Sequence, residues 1–324
     1  MDYLDLLYDY LLSQGIAHPD WMLAAMAGAL TAFFVQLYYW LGRYGGLPRF
    51  RNNRGIRPQI PSPPVSVVVV IRENGYYFIE NYLPLLLGQR YDEFEVVAVD
   101  CSYDEEIGEL LHEKSLACSR LHVTAIKQQR SAGHGTKLAL TVGIKACSYE
   151  HIVFTTTDCY PSSDKWLSLM AKGFINGDIV IGYCGIERRK GLANRLIRCS
   201  RLAGSVRWLS AATRGRAYRG IAGNIGYTKS LYFESRGFNY LNMEIGDDDL
   251  FIQKIATPDN VSVVMNPAAT MRQVPFGGLG WWRAVRRFYA YSFRYYPARV
   301  KRSVRTELSS RLLFFALSAA AALL

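Results

Sequence analysis

The sequence predicts an α/β fold, a Rossmann-like and mostly parallel sheet flanked by helices. An N-terminal transmembrane helix precedes it and helices at the membrane interface follow it. Three observations carry this reading. From Val65 onward, short apolar or β-branched runs alternate with helical segments. Two of those runs end on an aspartate, at Asp100 and Asp158. Ahead of them, Trp21 to Leu41 (WMLAAMAGALTAFFVQLYYWL) carries no charge and is long enough to cross a bilayer.

The N-terminal run has Trp21 at one end and Tyr38, Tyr39 and Trp40 at the other, as an aromatic belt would. The residues before it, MDYLDLLYDY, are acidic. The run therefore reads as an anchor and not a cleaved signal. Arg43, Arg49, Arg51, Arg54 and Arg57 follow, so the positive-inside rule puts the rest of the chain in the cytosol, at the inner membrane. Residues 1–42 are expected to form an amphipathic segment and the span, and 43–64 a basic Pro/Gly linker. Residues 65–275 are expected to form the soluble α/β domain. Residues 276–324 are an interface helix and an apolar end. That end, RLLFFALSAAAALL from Arg311, is by itself too short to span. It reads as a membrane-dipping tail or the start of an uncompleted span.

Within the soluble part, VSVVVVI from Val65 has the pattern of a strand buried on both faces. A helix is expected over Phe78–Leu87, then a strand ending at Asp100. A helix follows over Glu105–Ala117, then a strand from Leu121. The next helix is Thr136–Cys147, and the strand HIVFTTT ends at Asp158. A helix beginning at Ser162, capped by Ser162 or Ser163, comes next, and then a strand from Asp178. In such sheets ligands bind at the carboxyl ends of the strands, where Arg72, Asp100 and Asp158 fall.

The chain has 324 residues and a formal net charge of +11, which favours anionic partners. Its six cysteines are scattered with no metal spacing and read as reduced, buried thiols. Asp100 reads equally as a base or ribose acceptor and as an Asx turn. Asp158 reads as a strand-end carboxylate or as a ligand for Mg²⁺ or Mn²⁺. The triplet Asp247-Asp248-Asp249 precedes an apolar run. It reads as a set of helix-dipole partners or, through mutual repulsion, as the source of a general base. Lys137 in SAGHGTK lacks the phosphate-loop order and spacing. The segment GLGWWRAVRRFYAYSFRYYP suits an amphipathic interface helix better than a single-stranded nucleic-acid surface, and no nucleic acid is expected as a partner.

Taken together, these segments resemble the family 2 glycosyltransferases of the GT-A fold, over roughly Val65 to Tyr296. The segments that carry it are VSVVVVIREN, EFEVVAVDCSYDE, GTKLALTVGIKACSYEHIVFTTTDCYPSSDKWL, GNIGYTKSLYFESRGF and GDDDLF. The resemblance implies an inverting transfer from a nucleotide-diphospho-sugar, with a UDP-sugar expected, to a lipid-linked or cell-envelope glycan. It implies nucleotide-sugar contacts from Arg72, Glu73, Asp100, Lys137 and Thr156, and from Arg286 or Arg287 facing the leaving diphosphate. Asp158 would be the metal-binding Asp of the DxD motif, for Mn²⁺ or Mg²⁺. Asp248 would be the general base, with Asp247 one position away. Thr156 stands where the first Asp of DxD is expected. Val285 and Tyr289 stand where the family's QRxRW motif has Gln and Trp, which suits addition of one or a few sugars and not polymer synthesis. A catalytically silent nucleotide-binding or scaffold relative is the alternative.

Overall fold

The computed structural model describes residues 3–14, 19–47, 62–126, 136–239 and 246–323. The chain divides into two compact units, Met1–Arg49 with Tyr296–Leu324, and Phe50–Tyr295. The first unit opens with α1 (Tyr3–Ser13) and α2 (Pro19–Leu37), which continues through a wider helical turn, Tyr38–Tyr44.

The second unit starts with β1 (Val65–Ile71), α3 (Gly75–Asn81), α4 (Leu83–Leu87), β2 (Phe94–Asp100), α5 (Glu105–Ala117) and β3 (Leu121–Ala125). It continues with α6 (Thr136–Ala146), β4 (His151–Thr156), β5 (Cys159–Pro161), α7 (Trp166–Gly173), β6 (Ile179–Gly182) and β7 (Cys184–Ile186). Then come α8 (Leu192–Ala212), β8 (Ile225–Thr228), α9 (Lys229–Glu234), α10 (Leu250–Ile255), β9 (Val261–Val264), β10 (Met271–Gln273) and α11 (Leu279–Ser292). The chain returns to the first unit with α12 (Ala298–Leu323).

The main sheet has the order β3-β2-β1-β4-β8-β6-β9. Strands β3, β2, β1 and β4 are parallel, β8 runs against both its neighbours, and β9 is parallel to β6. The β1 run is buried along nearly its whole length, as its β-branched composition requires. Register aligns Ile71 with Asp100 and Val70 with Thr156. The carboxyl ends of β1, β2 and β4 therefore share one edge. Helix α6 lies close on this sheet because of Gly143. A Cβ there would stand 2.8 Å from Val68 Cγ1 and 2.9 Å from Val99 Cγ2.

Two helices differ from the expectation. The Phe78–Leu87 segment is two helices, because Pro84 has no N–H to continue the ladder of α3. Helix α7 begins at Trp166 and not Ser162. The Ser162 N–H donates to Thr270 O (2.9 Å) and Ser163 Oγ donates to Ala268 O (2.8 Å). Those bonds tie the serines to the approach to β10 before the helix starts.

The three-stranded sheet β5-β10-β7 stands beside the main one. Asn224, fully buried, secures this corner. Its Oδ1 accepts from Trp166 Nε1 (2.9 Å), and its Nδ2 donates to Tyr183 O and Ala269 O, both at 2.9 Å. Replacing it orphans three buried polar groups at about 1–3 kcal/mol each. Asn224→Ala is expected to destabilise the chain by at least about 3 kcal/mol, read as the shift of a denaturant midpoint.

In the first unit, α2 and α12 pack side by side. Gln36 Nε2 donates to Glu307 O and Ser310 Oγ, both at 2.7 Å, and Tyr39 OH donates to Ser303 O at 2.8 Å. Glu307 is buried and paired with Arg311. The apolar tail from Arg311 is thus the second half of one 26-residue helix and not a short separate segment. Among the described residues, Pro19–Tyr44 and Ala298–Leu323 are long and apolar enough to cross a membrane, by length and composition. Helix α11 belongs to the sheet-bearing unit, not with α12. Most of the linker, 48–61, lies outside the described residues.

Candidate active site

A cavity of about 360 Å³ opens at the shared carboxyl edge of β1 and β4. Arg72 and Glu73 line it from the end of β1, Thr156 and Asp158 from the end of β4, and Asp247 and Asp248 from the turn before α10. The fold thus gathers residues from three distant sequence segments around one hollow.

Asp158 has both oxygens engaged. Thr156 Oγ1 donates to Oδ1 at 2.6 Å, and Gln273 Nε2 donates to Oδ2 at 2.8 Å. Gln273 arrives through β10, which pairs it with Cys159 in antiparallel register. Arg201 Nη2 donates to Gln273 Oε1 at 2.6 Å, which turns the amide N–H₂ toward Asp158. Beneath this group Cys159 Sγ and Cys184 Sγ lie 3.7 Å apart, both buried. Burial and the neighbouring Cys184 push the Cys159 thiol well up, so it stays protonated. Gly223 makes room for the pair; a Cβ there would meet Cys159 Sγ at 2.7 Å. The expectation of buried thiols holds for four cysteines; Cys118 is half-exposed and Cys199 exposed.

Among the described residues no group of three or more His, Cys, Asp or Glu could hold a metal ion. One carboxylate beside a hydroxyl is still a fitting set for Mg²⁺ or Mn²⁺ delivered on a diphosphate. Such ions keep most of their shell from phosphates and water. Asp158 would hold the ion and Thr156 Oγ1 would support it.

The aspartate run divides its roles by geometry. Asp249, fully buried, caps α10 by accepting from Leu250 N (2.6 Å) and takes a 2.5 Å bond from Ser292 Oγ of α11. Asp248 is 4% exposed. Its Oδ2 accepts from Tyr289 OH at 2.5 Å and from Ala222 N at 3.3 Å. Its Oδ1 is buried with no hydrogen-bond partner among the described residues. Buried carboxylate oxygens are rarely left so. Arg219 stacks over the Tyr289 ring, 3.3 Å from its centroid. Burial pushes Asp248 up to about 7, helped by Asp247 and Asp249 and opposed by Arg219 and the Tyr289 bond. Asp247 is also raised, by burial first and then Asp249, with Lys137 opposing.

The other named residues stand apart from the cavity lining. Asp100 accepts from Ser102 N (2.9 Å) and Ser102 Oγ (2.7 Å), an Asx turn at the end of β2. Lys137 sits in the first turn of α6 and acts on Asp247 through its charge; the glycines before it lie outside the described residues. Arg286 does not face the cavity. Its Nη1 donates to Ser200 Oγ of α8 (3.4 Å), and its guanidinium lies 5.2 Å from the Trp282 ring centroid. Arg287 is exposed. Helix α11 instead turns Tyr289 and Ser292 to the aspartates. Gln273, Arg201 and Arg219 carried no sequence signal, since β10 is three residues long and the arginines sit in a uniformly basic stretch.

This sheet, with its cavity at the carboxyl edge, is the GT-A-like fold of glycosyltransferases of known structure. It is shared with the mannosyltransferase PcManGT from Pyrobaculum calidifontis, in complex with GDP-Man and Mn²⁺. The TM-score is 0.67 at 18% identity, covering 93% of this chain and 87% of that one. Lower-scoring matches include S. aureus TarS 1–349 in complex with UDP-GlcNAc, with a TM-score of 0.46 and 21% identity over 65% of this chain and 58% of that one. GalNAc-T7 with UDP, GalNAc and Mn²⁺ matches with a TM-score of 0.48 and 12% identity, over 65% and 44%. No family model matches the chain, and no curated protein matches it in sequence.

Proposed function

We propose that the chain is a membrane-attached, inverting glycosyltransferase. It moves a sugar from a nucleotide-diphospho-sugar, a UDP-sugar by the family resemblance, to a lipid-linked or cell-envelope glycan at the cytosolic membrane face. The observation that supports this most is Asp248, a buried carboxylate with one oxygen unpartnered among the described residues, in the same cavity as Asp158.

In this mechanism the acceptor hydroxyl approaches Asp248 Oδ1. The proton passes to the carboxylate as the acceptor oxygen forms its bond to the anomeric carbon. The bond from that carbon to the diphosphate oxygen breaks, and its electron pair leaves with the nucleotide diphosphate. One attack from the opposite face inverts the centre. Tyr289 and Ala222 hold Asp248 through its other oxygen. A divalent cation at Asp158 would neutralise charge developing on the diphosphate. Arg72, which lines the cavity beside it, would add a fixed positive charge.

Tyr289→Phe keeps the ring under Arg219 and removes one donor to Asp248, so the carboxyl pKa rises further above its value of about 7. The base is then protonated over a wider range. The acid limb of kcat/KM against pH is expected to move to higher pH, with the rate above it nearly restored.

A silent nucleotide-binding scaffold is the second reading. It is favoured by the neutral donors on both oxygens of Asp158 and by Thr156 in place of an acid. Calorimetric titration with UDP and GDP in Mn²⁺ tests the shared premise. One nucleotide binds, and Asp158→Ala weakens it. Absence of binding to a folded chain overturns both readings.

A further inference from the structure

Helix α8 presents two unlike halves. Its C-terminal half is core, with Trp208, Leu209 and Ala212 buried. Its N-terminal half buries only one side, through Asn194 and Ile197. Asn194 fixes that side to the chain before it, accepting from Arg189 N (2.9 Å) and donating to Glu187 O (3.1 Å). The opposite side carries Leu192, Leu196, Cys199 and Leu202, spaced at four, three and three residues, which is one helical face. The three leucines are 71%, 53% and 55% exposed, and Cys199 is exposed as well. A continuous leucine stripe on a folded unit's outer face marks a surface that meets something.

The charge around the stripe indicates what it meets. From Arg188 to Arg198 the sequence holds five Arg or Lys and no Asp or Glu. Arg188, Arg189, Lys190 and Arg195 are exposed around the first turns of α8; Arg189 also pairs with Glu187. An apolar face flanked by arginines matches the boundary between acyl chains and phosphodiester headgroups. The leucines enter the acyl layer, and the long cationic side chains reach back to the phosphates. Basic residues near an anionic leaflet each add attraction. The stripe holds no aromatic anchor, unlike the core of a protein interface, where aromatic residues are enriched.

We propose that the N-terminal half of α8 is a docking surface for an anionic lipid bilayer, with Leu192, Leu196, Cys199 and Leu202 in the acyl boundary. This surface belongs to the sheet-bearing unit itself. It needs neither the sugar-transfer reading nor any site residue.

Cys199 makes the test direct. Cys118→Ser leaves Cys199 as the exposed thiol, the other four being buried. The full chain, carrying a nitroxide on Cys199, is placed in nanodiscs of phosphatidylcholine with or without phosphatidylglycerol. Paramagnetic relaxation by oxygen is compared with that by a water-soluble nickel chelate. Oxygen is expected to be the stronger relaxant, more so with phosphatidylglycerol. Leu196→Glu is expected to invert that order. The chelate as the stronger relaxant in every bilayer overturns the proposal. So does a nitroxide shielded from both reagents, which means a protein contact, and so does a chain that stays in the water phase. Nucleotide turnover is not part of the readout, so failure here leaves the proposed activity standing, and the converse holds.

Discussion

Asp248→Asn is expected to lower donor turnover by about 100- to 10,000-fold, the range a general base contributes, while the chain folds normally. The amide has the shape of the carboxyl group and can still meet Tyr289 and Ala222, but it takes no proton at Oδ1. The same variant carries a stability signature. The Asp248 carboxyl is raised from 3.8 to about 7 in the folded chain. A raised carboxyl contributes stability that is present below the unfolded value and lost as pH rises through the folded value. The wild-type chain therefore gives up stability between about pH 4 and pH 7, and the variant does not. Its advantage in melting temperature over the wild type grows across that window and levels off above it. Loss of activity together with a flat stability difference would show that Asp248 is not the strained buried acid described here.

Asp158→Ala is expected to abolish metal-dependent turnover, and a chelator is expected to do the same to the wild type. Asp158 is the one carboxylate at the carboxyl end of β4. Thr156 and Gln273, which surround it, carry no charge. A cation held at Asp158 would have a single protein carboxylate, so its affinity is expected to depend strongly on bound nucleotide. Mn²⁺ titrations without and with UDP or GDP check this. Tight metal binding without nucleotide, unchanged in Asp158→Ala, would place the ion elsewhere.

The parts of the fold that follow local rules could be read from the sequence. The β-branched run at Val65 has room for only one structure. The helix expected over Glu105–Ala117 is α5, with the same bounds. What could not be read depends on contacts between distant segments. Ser162 and Ser163 look like helix caps, yet they bond to the approach to β10. The strand expected from Asp178 breaks at Tyr183 so that β6 joins one sheet and β7 the other. Gln273 reaches Asp158 only because a three-residue strand sets its register. Tyr289 looked like a replaced motif residue, and only the packing of α11 shows its hydroxyl on Asp248. Motif position sets Arg286 or Arg287 against the diphosphate. The helical phase turns Arg286 to α8 and leaves Arg287 exposed.

The most direct measurement is nucleotide release by the detergent-solubilised full chain, from a panel of UDP- and GDP-sugars with and without Mn²⁺, beside Asp158→Ala and Asp248→Asn. Slow, Mn²⁺-dependent hydrolysis of one donor, lost in Asp158→Ala and stimulated by membrane lipid extract only when Asp248 is intact, is the predicted result. No release from any donor, by a folded chain supplied with lipid extract and Mn²⁺, would contradict the transferase reading.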